Sequence, residues 1–472
     1  MATKNRPPVP TVTFWGATRT VTGSMHQLDA NGQTLLLDCG VFQGHRAESR
    51  KRNKVFPFRP KDIDAVILSH AHIDHCGNLP NLVRQGFRGP IWCTPATRAL
   101  AAVMLGDAAK IQAEDAAYLN QRREKGEPKI EPLYTDRDVY LTLRLLQAVP
   151  YGIAFGPGRG MDATFIDAGH LLGSAMISLK IDGPSGSSTL TFTGDYGRQG
   201  LPILRDPSPI PAADLIISES TYGGHTHEPV EETPERLGDI VRRTADRGGK
   251  LIIPAFAVGR TQTVVYFLHQ LINSGKLPSL PIYVDSPMAM RATEVFRSHP
   301  ECYDEQTLQL LREHPDLFGE EHIRYVETVN ESIALNRHPG PCVIISASGM
   351  CEAGRVLHHL KNSIENPVNT ILIVGYQAPH TLGHRLVERQ PKVRILGREF
   401  SLRAEIVVLN SLSSHADHGD LMRALGPLAG TTQRIRLVHG EPERATLLAD
   451  ALREAGFKDV SVPDRGESVA IG

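Results

Sequence analysis

The chain has 472 residues, more than one ordinary domain holds, so we expect two or three domains. Its 51 basic and 52 acidic residues leave a net charge of −1, which gives no bulk attraction to nucleic acid or anionic membranes. The polar N-terminus and the absence of any run long enough to span a bilayer predict a cytoplasmic protein without membrane contact. The six scattered cysteines predict reduced thiols.

Short runs rich in Ile, Val, Leu and Thr predict β-strands throughout the chain. In the first half they follow one another closely, and the turn sequence DGPSGSS at 182–188 separates two of them, which predicts an antiparallel or mixed sheet. From about residue 221 strands alternate with segments of helical length, the pattern of a parallel α/β unit. The alanine-rich segment 95–119 predicts a helix.

The first candidate site is the segment SHAHIDH at 69–75, which directly follows an apolar, strand-like run. His70 and His72 lie two positions apart on an extended strand end, so their side chains can converge on one ion. Asp74 and His75 lie beyond the strand and can bind a second ion. Imidazole and carboxylate groups suit zinc and similar metals, and this spacing favours a metal site over a polar turn with chance histidines.

Other strand-like runs also lead into residues with ligand or acid–base chemistry: Asp38, His170, Asp195, Glu219, His415 and His439. Ligands in open sheets bind at strand ends, so we expect these residues to share one rim. Each of them alone has an ordinary explanation, such as a turn residue, a helix N-cap or a surface histidine. The joint pattern favours a functional site.

These residues resemble a known family. Asp38, the 69–75 segment, His170 and Asp195 match the metal-site motifs of the metallo-β-lactamase fold in order and type. SEST around Glu219, SSHAD around His415 and VHGE around His439 resemble three further motifs of the β-CASP nucleases. The same family is indicated by PAFAVGRTQ, DSPMA, SASGMCEAGR and GYQAP-TLG at 254–262, 285–289, 346–355 and 375–383. The similarity is to bacterial and archaeal relatives of the subunit that cleaves mRNA 3′ ends, and it covers nearly the whole chain.

The resemblance implies an α/β fold, in which an αββα metallo-β-lactamase sandwich carries an inserted β-CASP α/β domain. Residues 1–220 would form the N-terminal part of the sandwich, 221–399 the β-CASP domain, and 400–472 a C-terminal return that completes the sandwich. The sequence departs from the family pattern at His380, where the family has glycine, and it carries a second histidine nearby, His384. This departure leaves the backbone of that loop open, because glycine adopts dihedral angles that histidine resists.

The resemblance also implies two zinc ions, with ligands from several motifs and one shared carboxylate. One ion would be bound by His70, His72 and His170, the other by Asp74, His75 and His439, and Asp195 would bridge them. Asp38 would hydrogen-bond a ligand histidine and fix its tautomer. Mn²⁺ and Fe²⁺ remain open, since the same ligands suit several ions.

The implied reaction attacks a phosphodiester with a hydroxide that two metals generate near neutral pH. His415 would be the general acid for the leaving 3′ oxygen, with Glu219 holding it, and Asp74 is a further catalytic candidate. Ser346, Ser348 and Gly349 could bring backbone amides to a phosphate, although a plain tight turn explains them too. Arg260 fits a phosphate contact and a structural ion pair equally well.

The resulting prediction is a zinc-dependent ribonuclease that acts on single-stranded RNA and leaves 5′-phosphate and 3′-hydroxyl ends. A DNA nuclease of the same superfamily is the first alternative, but the family's DNA-repair branch usually lacks a histidine at the position of His439. A lactamase-like or thioesterase-like hydrolase and a non-catalytic scaffold are the others. A homodimer is consistent with the family, while the RNA sequence preference and internal or terminal cleavage do not follow from the sequence.

Overall fold

The computed structural model describes residues 9–44, 46–123, 128–183, 186–278, 280–314, 316–319, 321–378 and 380–472. The chain divides into two compact units. The first comprises residues up to Gln199, Asp206–Thr226 and His415–Gly472, and the second comprises Gly200–Arg205 and His227–Ser414. The domain boundaries expected at 220 and 399 stay predictions.

The first unit contains two mixed sheets. One has the strand order β22-β1-β2-β3-β4-β5-β6, with β1 Thr11–Phe14, β2 His26–Ala30, β3 Gln33–Leu37, β4 Ala65–Ile67, β5 Ile91–Cys93, β6 Leu146–Ala148 and β22 Ser468–Ala470. The other has the order β21-β20-β11-β10-β9-β8-β7, with β7 Ala154–Gly158, β8 Met161–Asp167, β9 Ala175–Gly183, β10 Gly186–Phe192, β11 Leu215–Glu219, β20 Arg434–Val438 and β21 Asp459–Ser461.

The two sheets pack face to face through one apolar core. It contains Leu28 and Leu35 from the first sheet with Phe165, Ile177 and Ile217 from the second, all of them fully buried. The outer face of the second sheet packs on two C-terminal helices through a separate cluster. The helices of this unit are α1 Arg46–Lys54, α2 Ile73–Cys76, α3 Leu79–Arg84, α4 Pro95–Gln121, α5 Asp136–Leu143, α13 His418–Leu425 and α14 Pro442–Glu454.

The second unit is built on a fully parallel sheet with the order β14-β13-β15-β12-β16-β19. Its strands are β12 Lys250–Pro254, β13 Ile282–Val284, β14 Ile323–Tyr325, β15 Cys342–Ser346, β16 Thr370–Ile373 and β19 Glu405–Val408, and a hairpin is formed by β17 Lys392–Ile395 and β18 Arg398–Ser401. The helices are α6 Thr233–Asp246, α7 Arg260–Asn273, α8 Pro287–Ser298, α9 Glu305–Glu313, α10 Val329–Asn336, α11 Val356–Ser363 and α12 Leu382–Val387. This architecture confirms the predicted change of rhythm near residue 221.

Local sequence explains where several of these elements begin. Helix α4 starts at Pro95, and the Thr94 hydroxyl before it accepts a hydrogen bond from the Thr97 amide at 3.2 Å, a regular N-cap.

All six cysteines are buried and free. Among the described residues, no helix combines the length and the apolar character that a membrane span needs.

Candidate active site

One group of potential ligands gathers where strands β4, β8 and β10 of the first unit end. Nδ1 of His72 lies 3.1 Å from Nε2 of His70 and 3.3 Å from Nε2 of His170. Oδ2 of Asp195 lies 3.4 Å from Nε2 of His70 and 3.5 Å from Nε2 of His170. Four donor atoms from residues 70, 72, 170 and 195 therefore lie close enough together to surround one ion.

A second group is formed by Asp74, His75 and His439. Asp74 and His75 lie in the short helix α2, after the loop that follows β4 and carries His70 and His72. His439 follows β20, and its Nε2 lies 3.4 Å from Oδ2 of Asp74, although the two residues are 365 positions apart. The fold therefore brings a C-terminal histidine to the N-terminal motif.

The carboxylate of Asp195 faces both groups, with a different oxygen towards each. Its Oδ2 is the atom near His70 and His170, whereas its Oδ1 lies 3.2 Å from Nε2 of His75 and 3.7 Å from Nδ1 of His439. Asp195 is 2% exposed, so solvent does not compete for these oxygens. This arrangement is the one that a carboxylate shared by two cations requires.

The donor atoms fit a metal in spacing and in chemistry. A tetrahedral zinc with bonds of about 2.0–2.1 Å holds its ligand atoms about 3.4 Å apart, close to the distances found here. Within the described part of the chain, Nε2 of His75 and Oδ1 of Asp195 are buried and lack a hydrogen-bond partner. Unpaired polar atoms in such positions are costly, and a bound cation would satisfy both.

Most groups of the site hold the protonation states that bind metal. His75 is the exception: burial alone would lower its pKa, but Asp195 and Asp38 raise it well above the usual range, so a metal ion would displace a proton from this ring. Burial lowers the pKa of His70 and His170, and it lowers the pKa of His72 to about 3, so these imidazoles stay neutral. Burial by itself would raise the pKa of Asp195, but the surrounding histidines, led by His439 and His75, hold it well below its usual range. The carboxylate is therefore ionised.

Asp38 orients the ring of His75 through a contact with its Nδ1. Its Oδ2 lies 2.7 Å from Nδ1 of His75, which leaves Nε2 of that ring directed at Asp195. The hydroxyls of Ser24 and Ser69 donate to the same carboxylate at 3.0 and 2.9 Å, and the Ser69 amide donates at 2.8 Å. Asp38 thus has a full set of donors, as a residue that fixes a tautomer needs.

Sequence reasoning missed two hydroxyl residues that support the ligands. The Ser69 hydroxyl lies 3.1 Å from Nδ1 of His70 and also bonds Asp38, so it joins two motifs. The Thr221 hydroxyl donates to the carbonyl of His439 at 2.9 Å and lies 3.1 Å from its Nδ1. Both hydroxyl residues lie next to or near a predicted site residue in the sequence, and this proximity is the signal that could have identified them.

Glu219 and His415 form a pair at the edge of the ligand groups. Both carboxylate oxygens of Glu219 lie 3.1 Å from Nδ1 of His415, and the amide of Tyr196 donates to one of them at 2.6 Å. Nε2 of His415 lies 3.9 Å from Oδ2 of Asp195. Burial alone would lower the pKa of His415, but Glu219 and then Asp195 raise it to about 9.

The position of His415 is set by the chain on both sides of it. His415 forms a β-bridge with Gly197, and the next amide, of Ala416, donates to the carbonyl of Tyr196 at 2.9 Å. Asp417 then caps helix α13 by accepting from the Asp420 amide at 2.8 Å. The helix-cap role therefore belongs to Asp417, which leaves the His415 ring facing the site.

The four phosphate-contact candidates all lie in the second unit. Ser346 is 1% exposed, and its hydroxyl donates to the carbonyl of Asp285 at 2.9 Å, which favours a structural role for its side chain. Ser348 is half-buried and accepts from the Glu352 amide at 3.2 Å, Gly349 is buried, and Arg260 donates to the carbonyl of Val374. Their contact with phosphate stays a prediction.

Asp285 of the DSPMA segment stabilises the start of the same loop. Its buried carboxylate accepts from Ser332 at 2.5 Å and from Arg355 at 2.6 Å, and it lies 2.6 Å from Nε2 of His359. These partners hold the pKa of Asp285 below its usual range, although burial alone would raise it. Ser346, the first residue of the segment SASGMCEAGR, is therefore hydrogen-bonded to a residue that is itself fixed by three side chains.

Comparisons with known proteins agree with this architecture. The metallo-β-lactamase superfamily matches residues 23–167, the β-CASP domain matches 261–386, and the Zn-dependent metallo-hydrolase RNA specificity domain matches 400–463. Similarity to a solved structure, a protein of unknown function from Enterococcus faecalis V583, shows the fold alone. The match between the two structures has a TM-score of 0.55 at 15% sequence identity, and it covers 98% of this chain and 100% of the other chain.

Two relatives extend over nearly all of the chain. Ribonuclease TTHA0252 of Thermus thermophilus is 39% identical over 97% of this chain and 99% of its own length. Transcription termination factor FttA of Methanocaldococcus jannaschii is 31% identical over 98% of this chain and 71% of its own length. The chain therefore belongs to the β-CASP family of metallo-β-lactamase-fold RNA nucleases, and it is a metal-dependent hydrolase that acts on RNA.

Proposed function

We propose that this protein is a zinc-dependent ribonuclease that hydrolyses single-stranded RNA with two metal ions and leaves 5′-phosphate and 3′-hydroxyl ends. The main support is the carboxylate of Asp195, whose two oxygens face two separate groups of ligands. Metal ions about 3.5–4 Å apart are typical of enzymes that displace an oxygen from phosphorus in line.

The proposed ligands divide as the donor groups do. His70, His72 and His170 would hold one ion, Asp74, His75 and His439 would hold the other, and Asp195 would bind both. The ions would supply a nucleophilic hydroxide near neutral pH and would offset the negative charge that develops on phosphate oxygens. Such ions need neutral imidazoles and ionised carboxylates. Burial favours the neutral form of His70 and His170, and the surrounding histidines favour the ionised form of Asp195, whereas His75 would release a proton when its ion binds.

His415 is the proposed general acid. Glu219 accepts the Nδ1–H of this ring, so a second proton on Nε2 is stabilised by the adjacent carboxylate and points towards Asp195. Delivery of that proton to the departing 3′ oxygen leaves a 3′-hydroxyl, while the attacked phosphorus stays with the 5′ end of the downstream fragment. The tight hold of Glu219 by the Tyr196 amide keeps the pair aligned.

Arg260, Ser348 and Gly349 are proposed to contact the phosphates of the substrate, with Ser346 supporting the loop from inside. The names of the relatives, a ribonuclease and a transcription termination factor, support RNA over DNA and over small molecules. A homodimer and a cytoplasmic location stay predictions from the sequence.

The decisive experiment compares cleavage of a 5′-labelled single-stranded RNA with cleavage of its DNA counterpart. The wild type is run beside Asp74→Ala and beside Asp182→Asn, a half-exposed carboxylate control in the same unit. Metal content is counted by elemental analysis. We expect the wild type and Asp182→Asn to cut RNA and to hold about two zinc ions per chain, and Asp74→Ala to lose activity and metal.

The ends of the products test the chemistry separately. Ligation of a second oligonucleotide to the product needs a 3′-hydroxyl, and digestion by a 5′-phosphate-dependent exonuclease needs a 5′-phosphate. Products that resist both treatments would contradict the proposed mechanism. Equal cleavage of the DNA strand would contradict RNA specificity, and one ion per chain in the active wild type would contradict the two-metal assignment.

A further inference from the structure

The carboxyl edge of the parallel sheet in the second unit carries three of the motif loops. Strands β15, β12 and β16 are neighbours, and all three run in the same direction. The loops that leave them contain Phe256, Gly349 and Tyr376, from the segments PAFAVGRTQ, SASGMCEAGR and GYQAP. Since ligands of parallel α/β sheets bind outside the carboxyl ends of neighbouring strands, this edge is where a ligand is expected.

Two aromatic side chains at this edge are open to solvent. Phe256 is 39% exposed and Tyr376 is 43% exposed. Among the described residues, the other strongly exposed aromatic side chains are Tyr118 and Tyr140, which lie on helices α4 and α5.

The ring of Phe256 lies close to two glycines, Gly349 and Gly375. A side-chain carbon at Gly349 would come within 2.9 Å of the ring, closer than atoms can pack, so only glycine permits this approach. A carbon at Gly375 would lie 3.9 Å from Cε2 on the same edge of the ring and 3.8 Å from the guanidinium of Arg260. Tyr376 is the next residue. The loops therefore bring the Phe256 ring, the guanidinium of Arg260 and the backbone next to Tyr376 close together.

We propose that Phe256 and Tyr376 form a stacking platform for the nucleobases of single-stranded RNA. The inference rests on the proposed function and adds how the substrate is recognised: by the flat faces of its bases rather than by their hydrogen-bonding edges. Every base has such a face, so the platform accepts many sequences, whereas paired bases in a duplex keep theirs buried. The platform therefore selects for single strands.

Exposed aromatic surface is unfavourable in water, and here Gly349 is required so that the ring of Phe256 can keep its position. Base–aromatic stacking recovers that apolar area, and the neighbouring guanidinium of Arg260 adds attraction for the base and the backbone phosphate. With a net charge of −1 the chain has no bulk electrostatic attraction for RNA, so local contacts of this kind have to provide affinity.

The test uses the full-length metal-loaded protein and a short phosphorothioate-linked RNA, which is cut slowly, beside the same strand without bases. We expect Phe256→Leu and Tyr376→Leu each to weaken binding of the base-bearing strand about 5- to 150-fold. Binding of the abasic strand should not change. Tyr118→Leu, an exposed aromatic residue of the first unit, is the matched control and should bind both strands as the wild type does.

A second variant reports stacking directly. Phe256→Trp should lose fluorescence when the base-bearing strand is added and keep it with the abasic strand. Binding of the base-bearing strand that is unchanged in both leucine variants would overturn the platform, and so would an equal loss for both strands. Melting curves of the variants check that they fold.

A substrate without a nucleobase separates this inference from the proposed function. The leucine variants should cut an abasic strand with ordinary phosphodiester links at the wild-type rate, because the platform takes no part in the chemistry. If the wild type cuts no RNA but the base-dependent binding is lost in the leucine variants, the platform stands and the proposed ribonuclease fails. If RNA is cut and base-dependent binding is unaffected by the variants, the reverse holds.

Discussion

Oδ2 of Asp38 lies 2.7 Å from Nδ1 of His75, and the side chains of the two residues are 0% and 1% exposed. Because the carboxylate accepts the Nδ1 proton, the nitrogen of His75 that is left for a metal is Nε2, the atom that faces Asp195. A contact that fixes a tautomer in this way prepares a metal ligand before the metal binds.

Asp38→Asn should therefore weaken metal binding about 10- to 100-fold while the protein stays folded. Asparagine tolerates the positive φ of 61° at this position, so the variant changes the charge and the hydrogen bond without adding backbone strain. Metal affinity is measured by competition with a chromophoric chelator. Asp182→Asn controls for the loss of a carboxylate elsewhere in the unit. Unchanged affinity in Asp38→Asn would show that Asp38 does not prepare His75.

His415→Ala should lower kcat for RNA about 10²- to 10⁴-fold without reducing the metal content, because it removes a proton donor and no proposed ligand. The loss should be much smaller for bis(4-nitrophenyl) phosphate, whose leaving group departs without a proton. His418→Ala serves as the control, since Nδ1 of that residue accepts from the Gly224 amide at 3.0 Å and takes no part in the site. Equal losses on both substrates would argue against the general-acid role.

His26 makes the first unit sensitive to acid. Its ring lies between Phe14 and Phe192, with centroid distances of 5.3 and 5.4 Å, and within the described residues neither nitrogen has a hydrogen-bond partner. Burial lowers its pKa to about 3, against about 6.5 in an unfolded chain. The unfolded state therefore binds the extra proton as pH falls below 6.5, and stability is lost in that direction.

His26→Leu should remove the part of this dependence that His26 contributes. Between pH 7 and pH 5 the residue costs the wild type about 2 kcal/mol of unfolding free energy, which the variant should retain. Trp15 and Trp92, both in the first unit, report its unfolding in urea through their fluorescence. His26→Gln, which is polar but cannot titrate, should show the same flattened pH dependence. Unaltered acid sensitivity in both variants would assign the effect to other groups.

His380 carries backbone strain that glycine would relieve. Its φ is +71°, in the left-handed region that costs a residue with a Cβ atom about 1–2 kcal/mol. Glycine loses more chain entropy on folding, so His380→Gly should gain about 0.5–1 kcal/mol in all. His384→Gly, inside helix α12, should instead cost about 1 kcal/mol. Calorimetry would measure both, and a melting temperature that falls in His380→Gly would contradict the strain.

The types of residue at the site could be predicted from local sequence. The apolar strand and the ligand motif after it could be read from residues 65–75, although β4 ends at Ile67, so His70 and His72 lie in the loop before helix α2 and not on the strand itself. The fully parallel sheet of the second unit also followed from the spacing of its strands and helices, because parallel strands need crossover segments of that length.

Only the tertiary structure decided which atoms meet. No local rule pairs Asp38 with His75 rather than with another histidine, brings His439 to Asp74 across 365 residues, or turns the two oxygens of Asp195 towards different ligands. Local sequence also does not show that the Ser346 hydroxyl bonds the carbonyl of Asp285, or that the ring of Phe256 needs glycine at 349. Sequence periodicity determines the direction of a side chain relative to its own element, whereas these contacts depend on how elements far apart in the chain pack together.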